Sequence, residues 1–108
     1  MTDSRTTTAK FSIGQVVHHH LFGYRGVIVD IDPICMASDE WYESMARSRP
    51  PKDQPWYHLL VDGATHRTYV AERNISEELQ AEPISHPELE DYFAGFAGGV
   101  YQLRERAQ

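Results

Sequence analysis

The stretch of sequence that decides the fold covers residues 16–33 and reads VVHHHLFGYRGVIVDIDP. Two apolar segments flank the connection FGYRG, whose two glycines are typical of a tight turn. Apolar and polar residues alternate through both segments, a period that predicts half-buried strands. The second strand is predicted to face the core with Val27, Val29 and Ile31. It ends before Pro33, which has no backbone N–H to donate to a strand ladder.

Working outward from this hairpin, the same alternation predicts further short strands. The predicted strands cover residues 10–21, 27–32, 56–61, 67–71 and 100–103. In the first strand, the apolar side chains at odd-numbered positions are expected to face the core, namely Phe11, Ile13, Val17 and Leu21. The turn signal Asp62-Gly63-Ala64 joins the third strand to the fourth in antiparallel fashion. Four or five short strands of this kind predict a mainly β fold, a small and strongly bent antiparallel barrel.

Helical structure is predicted only as short turns. Residues 40–45, with Ser38 or Asp39 as the cap, lie within a long irregular insertion over residues 34–55. An insertion of this length in a small domain is usually functional or mobile. Its second half is rich in proline and is expected to be extended.

The two ends of the chain differ from this middle part. Residues 1–9 are rich in threonine and are predicted to be a disordered lead-in, and residues 10–108 a single domain. In the acidic C-terminal segment, residues 80–108, a short helix is predicted over residues 88–96, ended by Gly98-Gly99. A helical turn is predicted just before this segment, over residues 75–79.

Length and composition limit the class of protein. The 108 residues (12.4 kDa) suffice for one domain with one modest core. With 41% apolar and 24% charged residues the chain has the composition of a folded domain. No apolar run approaches the roughly 20 residues of a membrane helix, and residues 1–10 contain no signal-peptide stretch. The single cysteine, Cys35, excludes an intramolecular disulfide, so we expect a reducing cytoplasm.

Charge is distributed unevenly along the chain. The net charge is −6, from sixteen acidic and ten basic residues. Up to Arg73 there are eight basic and nine acidic residues, whereas beyond it there are two basic and seven acidic ones. Affinity for nucleic acid depends mainly on Lys and Arg side chains that neutralise phosphates, so a generic nucleic-acid coat protein is disfavoured. The nearly neutral body still leaves room for a local basic face.

The run His18-His19-His20 is a candidate metal site. His18 and His20 project from the same strand face and could ligate a divalent transition metal, with His58 or Cys35 completing the shell. Without a carboxylate or thiolate at fixed spacing the signature is incomplete, and the alternative is three ordinary strand histidines.

Asp30 and Asp32 also share a strand face. Paired carboxylates can bind a hard cation or act in acid–base chemistry. Because Pro33 follows directly, we favour the simpler role of accepting backbone hydrogen bonds at a strand end.

Aromatic and cationic side chains supply a candidate binding surface. Tyr24 and Arg25 in the first hairpin form a pair suited to stacking a base or holding a phosphate. The pairs Trp41-Tyr42 and Trp56-Tyr57 lie on either side of the proline-rich residues 48–55 and could anchor an interface. Ordinary packing is the alternative for all of them. The predicted surface, for protein or for DNA, comprises Tyr24, Arg25, Trp41, Tyr42, Trp56, Tyr57, Arg67 and Arg73.

A barrel this small is filled by its own side chains, so function is expected on its outer face and loops rather than in an enclosed active site. The sequence contains neither a glycine-rich phosphate loop nor a nucleophile elbow. We therefore expect a binding protein without enzymatic activity and without a cofactor.

Two ordered blocks of the sequence carry a family resemblance. The first is KFSIGQVV at residues 10–17, followed by LFGYRGVIVDIDP at residues 21–33. The second is PWYHLLV at residues 55–61, followed by TYVAE at residues 68–72 and by Asn74-Ile75. Over residues 10–79 the chain resembles the hemimethylated-DNA-binding-like, or YccV-like, heat-shock proteins. The resemblance implies a small SH3-like barrel in the bacterial cytoplasm, often self-associating.

The resemblance implies two roles. One is binding of hemimethylated DNA. The other is a stress-response role, in which the protein promotes degradation of selected or denatured proteins, the replication initiator among them, through the ATP-dependent Lon protease. Reading a methyl group on DNA requires a cationic approach surface, whereas an adaptor requires exposed aromatic side chains and a mobile segment. The acidic charge favours the protease and its clients as partners over DNA, and no membrane partner is expected.

Overall fold

The computed structural model describes residues 8–105, and strands make up most of their regular structure. The strands are β1 (Val16–His19), β2 (Arg25–Asp32), β3 (Trp56–Val61), β4 (Arg67–Ala71), β5 (Ile75–Glu77), β6 (Phe93–Ala97) and β7 (Val100–Leu103). The other elements of the described residues are the helices α1 (Asp39–Met45) and α2 (Leu89–Tyr92) and a 3-10 turn, Glu72–Asn74. Most of the predicted disordered lead-in, residues 1–7, lies outside the described residues.

Five strands form one antiparallel sheet in the order β4-β3-β2-β1-β5. Only the 3-10 turn separates β4 from β5 in the chain, yet the two strands lie at opposite edges of the sheet. The sheet must therefore bend strongly for so short a connection to join them. β6 and β7 form a separate hairpin, which a bridge between Gln15 and Val100 links to the sheet. The predicted mainly β, strongly bent, SH3-like barrel is confirmed, and it is open along β4.

Both faces of the bent sheet are covered, which the alternation did not predict. A cluster of buried side chains from five strands fills the inside of the bend, namely Val17, Ile28, Tyr57, Leu59, Val70 and Ile75. A second cluster lies outside, where the C-terminal segment packs on the sheet, namely Val16, Val27, Val29, Leu60, Ile84, Phe93 and Tyr101. Consecutive residues are therefore buried in β1 and β2, and the expectation of half-buried strands is wrong for both.

An irregularity in β2 decides which of its residues face inward. The register with β3 shifts between Ile28 and Asp30. As a result Ile31 packs with Ile28 inside the bend, whereas Val27 and Val29 pack under the C-terminal segment. The three residues predicted to share one inner face are divided between the two clusters.

The first strand is shorter than predicted. β1 starts at Val16, and residues 10–15 approach it through a turn in which Gly14 N–H donates to the Ile28 carbonyl at 2.8 Å. Ile13 and Leu21, predicted to face inward, are exposed because both lie beyond the paired part of the strand.

Near the C-terminus two predicted helical segments are strands instead. Residues 75–77 form β5 rather than a helical turn, because they pair with β1. The helix predicted over residues 88–96 ends at Tyr92, and the chain continues as β6 because it pairs with β7. Gly98 and Gly99, expected to end that helix, both have positive φ and form the hairpin turn instead. The last strand, over residues 100–103, is confirmed.

The long insertion between β2 and β3 is held against the sheet by α1. Ser38 caps this helix as predicted, and its Oγ accepts a hydrogen bond from Trp41 N–H at 3.1 Å. Tyr42 packs on Trp56, and its hydroxyl donates to the Pro50 carbonyl at 2.6 Å. Within residues 8–105, neither helix is long and apolar enough to span a bilayer.

Gly14 fastens the C-terminal hairpin to the sheet. Its carbonyl accepts a hydrogen bond from Tyr101 N–H at 2.8 Å, and its backbone has a φ of +95°. A Cβ at this position would overlap the Tyr101 carbonyl oxygen. Both the backbone conformation and the close approach therefore require glycine.

We expect Gly14→Ala to lower the free energy of unfolding by about 2–4 kcal/mol, because strain and overlap act together. Gly95→Ala is the matched control, since a Cβ there meets no described atom within 4 Å. The control should stay within about 0.5 kcal/mol of the unmodified chain. Urea unfolding followed by tryptophan fluorescence measures both, and equal stability of the two variants would contradict the role given to Gly14.

Candidate functional site

A groove of about 780 Å³ runs along β4. One wall is the tip of the β1–β2 hairpin, with Leu21, Phe22 and Tyr24. The opposite wall is α1 and the loop after it, with Trp41 and Met45. Since β4 is the last strand of the sheet, the groove lies where the barrel does not close.

The hairpin wall presents apolar surface to solvent. Leu21 is 57% exposed and Phe22 is 72% exposed. The buried ring of His19 supports them, with its centroid 4.7 Å from the stacked Phe22 ring and 5.0 Å from the Tyr24 ring. Gly23, with a φ of +73°, allows the chain to reverse directly after Phe22.

His19 is held in one protonation state by the backbone of the same turn. Its Nδ1 accepts hydrogen bonds from Leu21 N–H at 3.1 Å and from Phe22 N–H at 3.2 Å. The ring is therefore neutral with its proton on Nε2. Burial, and then the neighbouring His20 and His18, lower the pKa of His19.

The helix wall combines a braced tryptophan with a flexible methionine. The Trp41 ring meets Trp56 and Tyr69 edge to face, with centroid distances of 6.1 Å and 5.6 Å. Met45 is 62% exposed, and its thioether side chain can adapt to partners of different shape.

The two tyrosine hydroxyls of the groove are hydrogen-bonded within the protein. Tyr24 and Thr68 share a hydrogen bond of 2.8 Å between their hydroxyls. The Tyr69 hydroxyl donates to Asp32 Oδ2 at 2.6 Å and accepts from Met36 N–H at 2.9 Å. Burial, and then the hydrogen bond to Asp32, raise the pKa of Tyr69, which therefore stays a neutral phenol.

The groove is a cationic region of an acidic chain. Its lining includes Arg47 and Arg67, and none of the described residues that form it is acidic. By contrast, a second concavity of about 620 Å³ beside β5 contains several glutamates, Glu77 and Glu78 among them. Because the net charge of the chain is −6, the groove is the part best suited to a negatively charged partner.

Three of the predicted aromatic binding residues lie in the core. Tyr42, Trp56 and Tyr57 are 8%, 1% and 0% exposed. Tyr42 and Tyr57 do not line the groove and support it from beneath. Tyr24, Trp41 and Trp56 line it.

The predicted cationic residues differ in what they contact. Arg25 is in β2 rather than in an exposed turn, and its guanidinium pairs with Asp62 at 2.9 Å. It also donates to two carbonyl oxygens of the C-terminal segment, at 3.1 and 3.2 Å, and so ties that segment to the sheet. Arg73 donates to the Ser48 carbonyl at 2.7 Å. Arg67 lines the groove.

The metal-ligand side chains that converge are centred on the predicted Asp30–Asp32 pair rather than on His18 and His20. Within the described residues, the group that comes together is Asp30, Asp32 and His58, with candidate ligand atoms all within 4.8 Å of one another. It includes neither His18 nor His20.

These three groups have partners within the protein. Asp30 accepts from Ile31 N–H at 2.9 Å, the backbone role predicted for it. The same role predicted for Asp32 is wrong, because among the described residues its Oδ2 contacts side chains: it lies 3.2 Å from His58 Nε2 and accepts from the Tyr69 hydroxyl. The cluster is accounted for by these hydrogen bonds.

Phe22 and Met45, the two most exposed of the large apolar side chains in the groove, were not identified from the sequence. One local signal was available for Phe22. Leu21 and Phe22 precede Gly23 in a predicted tight turn, and large apolar side chains at a turn have no strand face to carry them into the core. No local pattern marks Met45, because its position depends on how α1 packs.

The fold and the groove define a small, open SH3-like barrel with an accessible apolar groove along its edge strand. The family model described as "Hemimethylated DNA-binding protein YccV like" matches residues 9–100. The chain belongs to the YccV-like family. The match extends beyond the resemblance seen over residues 10–79 and includes β6.

We expect the stability of the hairpin wall to fall at mildly acidic pH. A proton on Nδ1 of His19 would remove both of its backbone hydrogen bonds. Since the pKa of His19 is lowered in the folded chain, the unfolded chain takes up the proton first as the pH drops below about 6.5. The contribution of His19 is therefore complete above that pH and is lost progressively below it, towards the folded pKa.

An NMR titration of the imidazole resonances tests this expectation. His19 should titrate below pH 6.5 as the Nε2–H tautomer, and His19→Gln should flatten the fall in stability between about pH 7 and pH 5. His66→Gln, at an exposed position, is the matched control. An ordinary or raised pKa for His19, or an Nδ1–H tautomer, would contradict the geometry.

Proposed function

We propose that this chain is a non-enzymatic, cytoplasmic stress-response protein that promotes degradation of selected or denatured proteins through the ATP-dependent Lon protease. Membership of the YccV-like family supports the proposal. The observation that carries it is the groove along β4, which exposes apolar side chains within a cationic lining.

The groove suits a segment of unfolded polypeptide. Denatured proteins expose apolar side chains that native folds bury. Phe22 and Met45 stand on opposite walls and are both largely exposed, so an apolar segment between them would remove both from water. An apolar concavity rimmed by polar groups is typical of interaction sites.

The proposal assigns binding rather than catalysis to the groove. The Tyr24 and Tyr69 hydroxyls bond to Thr68 and Asp32, and the His19 Nδ1 accepts from the backbone. These groups position the walls. Cleavage of the client is assigned to the protease.

Hemimethylated DNA is the second candidate ligand, favoured by the description of the family model. The cations of the groove are Arg47 and Arg67. Of their neighbours, Arg49 pairs with Glu43 at 2.7 Å, and Arg73 donates to a backbone carbonyl. Contacts to phosphate dominate affinity for DNA, and the net charge of −6 opposes them. We therefore place DNA after the protease clients.

Self-association is also proposed. The open barrel has an edge strand at each end, β4 and β5, and natural proteins cover such edges by pairing, by charge or by another element. Sedimentation equilibrium that shows only monomer at high concentration would contradict this part of the proposal.

In a reconstituted assay with Lon, ATP and a chemically denatured reporter protein, the chain should accelerate reporter degradation. Phe22→Ser and Met45→Ser should each weaken binding of the reporter by about tenfold, because each removes exposed apolar contact surface. Leu79→Ser is the matched control, since Leu79 is 87% exposed and lies outside the groove. Its effect should be negligible.

Three results would count against the proposal. Failure of the chain to accelerate degradation removes the protease role. Equal stimulation by the groove variants and by Leu79→Ser removes the groove as the site. Submicromolar, methylation-dependent binding of a hemimethylated duplex, measured by fluorescence anisotropy at moderate salt, would place DNA first.

A further inference from the structure

The backbone pairing of β4 can be assigned from its two ends. Val61 N–H donates to the His66 carbonyl just before β4, and Glu72 N–H donates to the Pro55 carbonyl just after it. In an antiparallel pair, residues whose backbone groups bond to the neighbouring strand alternate with residues whose backbone groups point away. The hydrogen bonds at the two ends of β4 therefore agree on which of its residues bond to β3 and which point away from it.

The alternation leaves a row of backbone groups facing the groove. Thr68 and Val70, paired with Leu59 and Tyr57, turn their N–H and C=O groups towards β3. Arg67 and Tyr69 turn theirs away from β3. Among the described residues, no backbone hydrogen bond to another element uses the N–H or C=O of Arg67 or Tyr69. β4 can therefore accept a further strand on this side.

The walls of the groove match the two faces of such a strand. Strands in a sheet lie about 4.8 Å apart, and their side chains alternate between the two faces. A strand beside β4 would direct one set of side chains towards Leu21 and Phe22, and the other towards Trp41 and Met45. Both sets would meet apolar surface.

The charge of the groove selects among possible strands. Arg47 and Arg67 line it, and its described lining contains no carboxylate. A peptide with acidic side chains or an acidic flank would gain from this field, whereas a basic peptide would be repelled.

We propose that the groove binds an extended peptide segment of a partner protein by adding it as a strand to the free edge of β4. The segment has apolar side chains at successive central positions, so that both faces meet an apolar wall, and acidic flanks that give it a net negative charge. Backbone hydrogen bonds to Arg67 and Tyr69 supply affinity that does not depend on sequence, and the two walls select the side chains. The inference rests on the proposed function, because it states how the client segment is held.

A symmetric pair of β4 strands from two copies of this chain fits the edge less well than an acidic peptide. Such a pair would bring Arg67 of one copy towards the cationic lining of the other. Like charges placed opposite each other destabilise a strand pair. The positive lining therefore favours a partner of opposite charge.

Fluorescence anisotropy with a series of synthetic peptides tests the backbone contacts. The parent probe is a labelled peptide of about nine residues with leucine and valine at its central positions and aspartate at both ends. Each variant carries one backbone N-methyl group, which removes one N–H donor. Strand addition predicts that methylation weakens binding by about tenfold at every second central position and has little effect between them.

A variant of the edge tests the same contacts from the other side. Arg67→Pro removes an outward N–H while leaving the bonds of Thr68 and Val70 to β3, and proline is tolerated on edge strands at such positions. Arg67→Ala is the matched control, because it removes the same charge and keeps the N–H. Arg67→Pro should bind the parent peptide about tenfold more weakly than Arg67→Ala. Circular dichroism tests whether both variants are folded. If Arg67→Pro is not folded, the N-methyl peptide series alone decides.

The outcomes separate this inference from the proposed function. Loss of binding with a period of two residues, together with the proline effect, supports strand addition. Equal effects of N-methylation at all positions overturn strand addition, and so does an absence of peptide binding. In either case the proposed function still stands if stimulation of Lon depends on Phe22. A dimer that Arg67→Pro dissociates would assign the edge to a second copy and overturn the inference. If the chain neither binds the peptide nor stimulates Lon, both strand addition and the proposed function are contradicted.

Discussion

A sheet that bends without closing leaves the backbone groups of its last strand without a strand partner. In this protein that strand is β4, because the 3-10 turn carries the chain away to pair with β1 instead. Natural proteins usually cover or blunt such an edge, since exposed N–H and C=O groups recruit other strands. Here the edge lies between two apolar walls, which limit access to it from either side but do not cover it. A free edge at the base of an apolar groove is a binding surface for an extended chain.

The rest of the chain covers the other surfaces of the sheet. The C-terminal segment packs on the outer face and is fastened by Gly14 and by the hydrogen bonds from Arg25 to the Glu82 and Pro83 carbonyls. The insertion between β2 and β3 covers the neighbouring region with α1 and also provides one wall of the groove. Most of the apolar surface is thereby buried, and the exposed apolar side chains of the groove remain where a partner can reach them. The acidic character of the C-terminal third leaves the groove as a cationic region on an otherwise acidic protein.

Local signals in the sequence predicted the elements whose conformation is decided locally. β3, β4 and α1 with its Ser38 cap follow from alternation, a turn signal and a capping side chain. β5 and β6 were mistaken for helical segments because their extended conformation comes from pairing with β1 and β7, which no short window of sequence contains. Arg25 was expected to be free for the same kind of reason, since its partner Asp62 is 37 residues away. The groove combines Phe22 and Met45 from separate elements, so only the packing of the fold reveals it.

Amide hydrogen exchange of the free chain, resolved by NMR for each residue of β4, tests the open edge most directly. If β4 is bonded only to β3, Thr68 and Val70 should exchange slowly, and Arg67 and Tyr69 should exchange much faster. Alternating protection along these four residues is the expected result. Equally strong protection at all four would show that the edge is already covered, and would contradict a groove that is free to take up a partner strand.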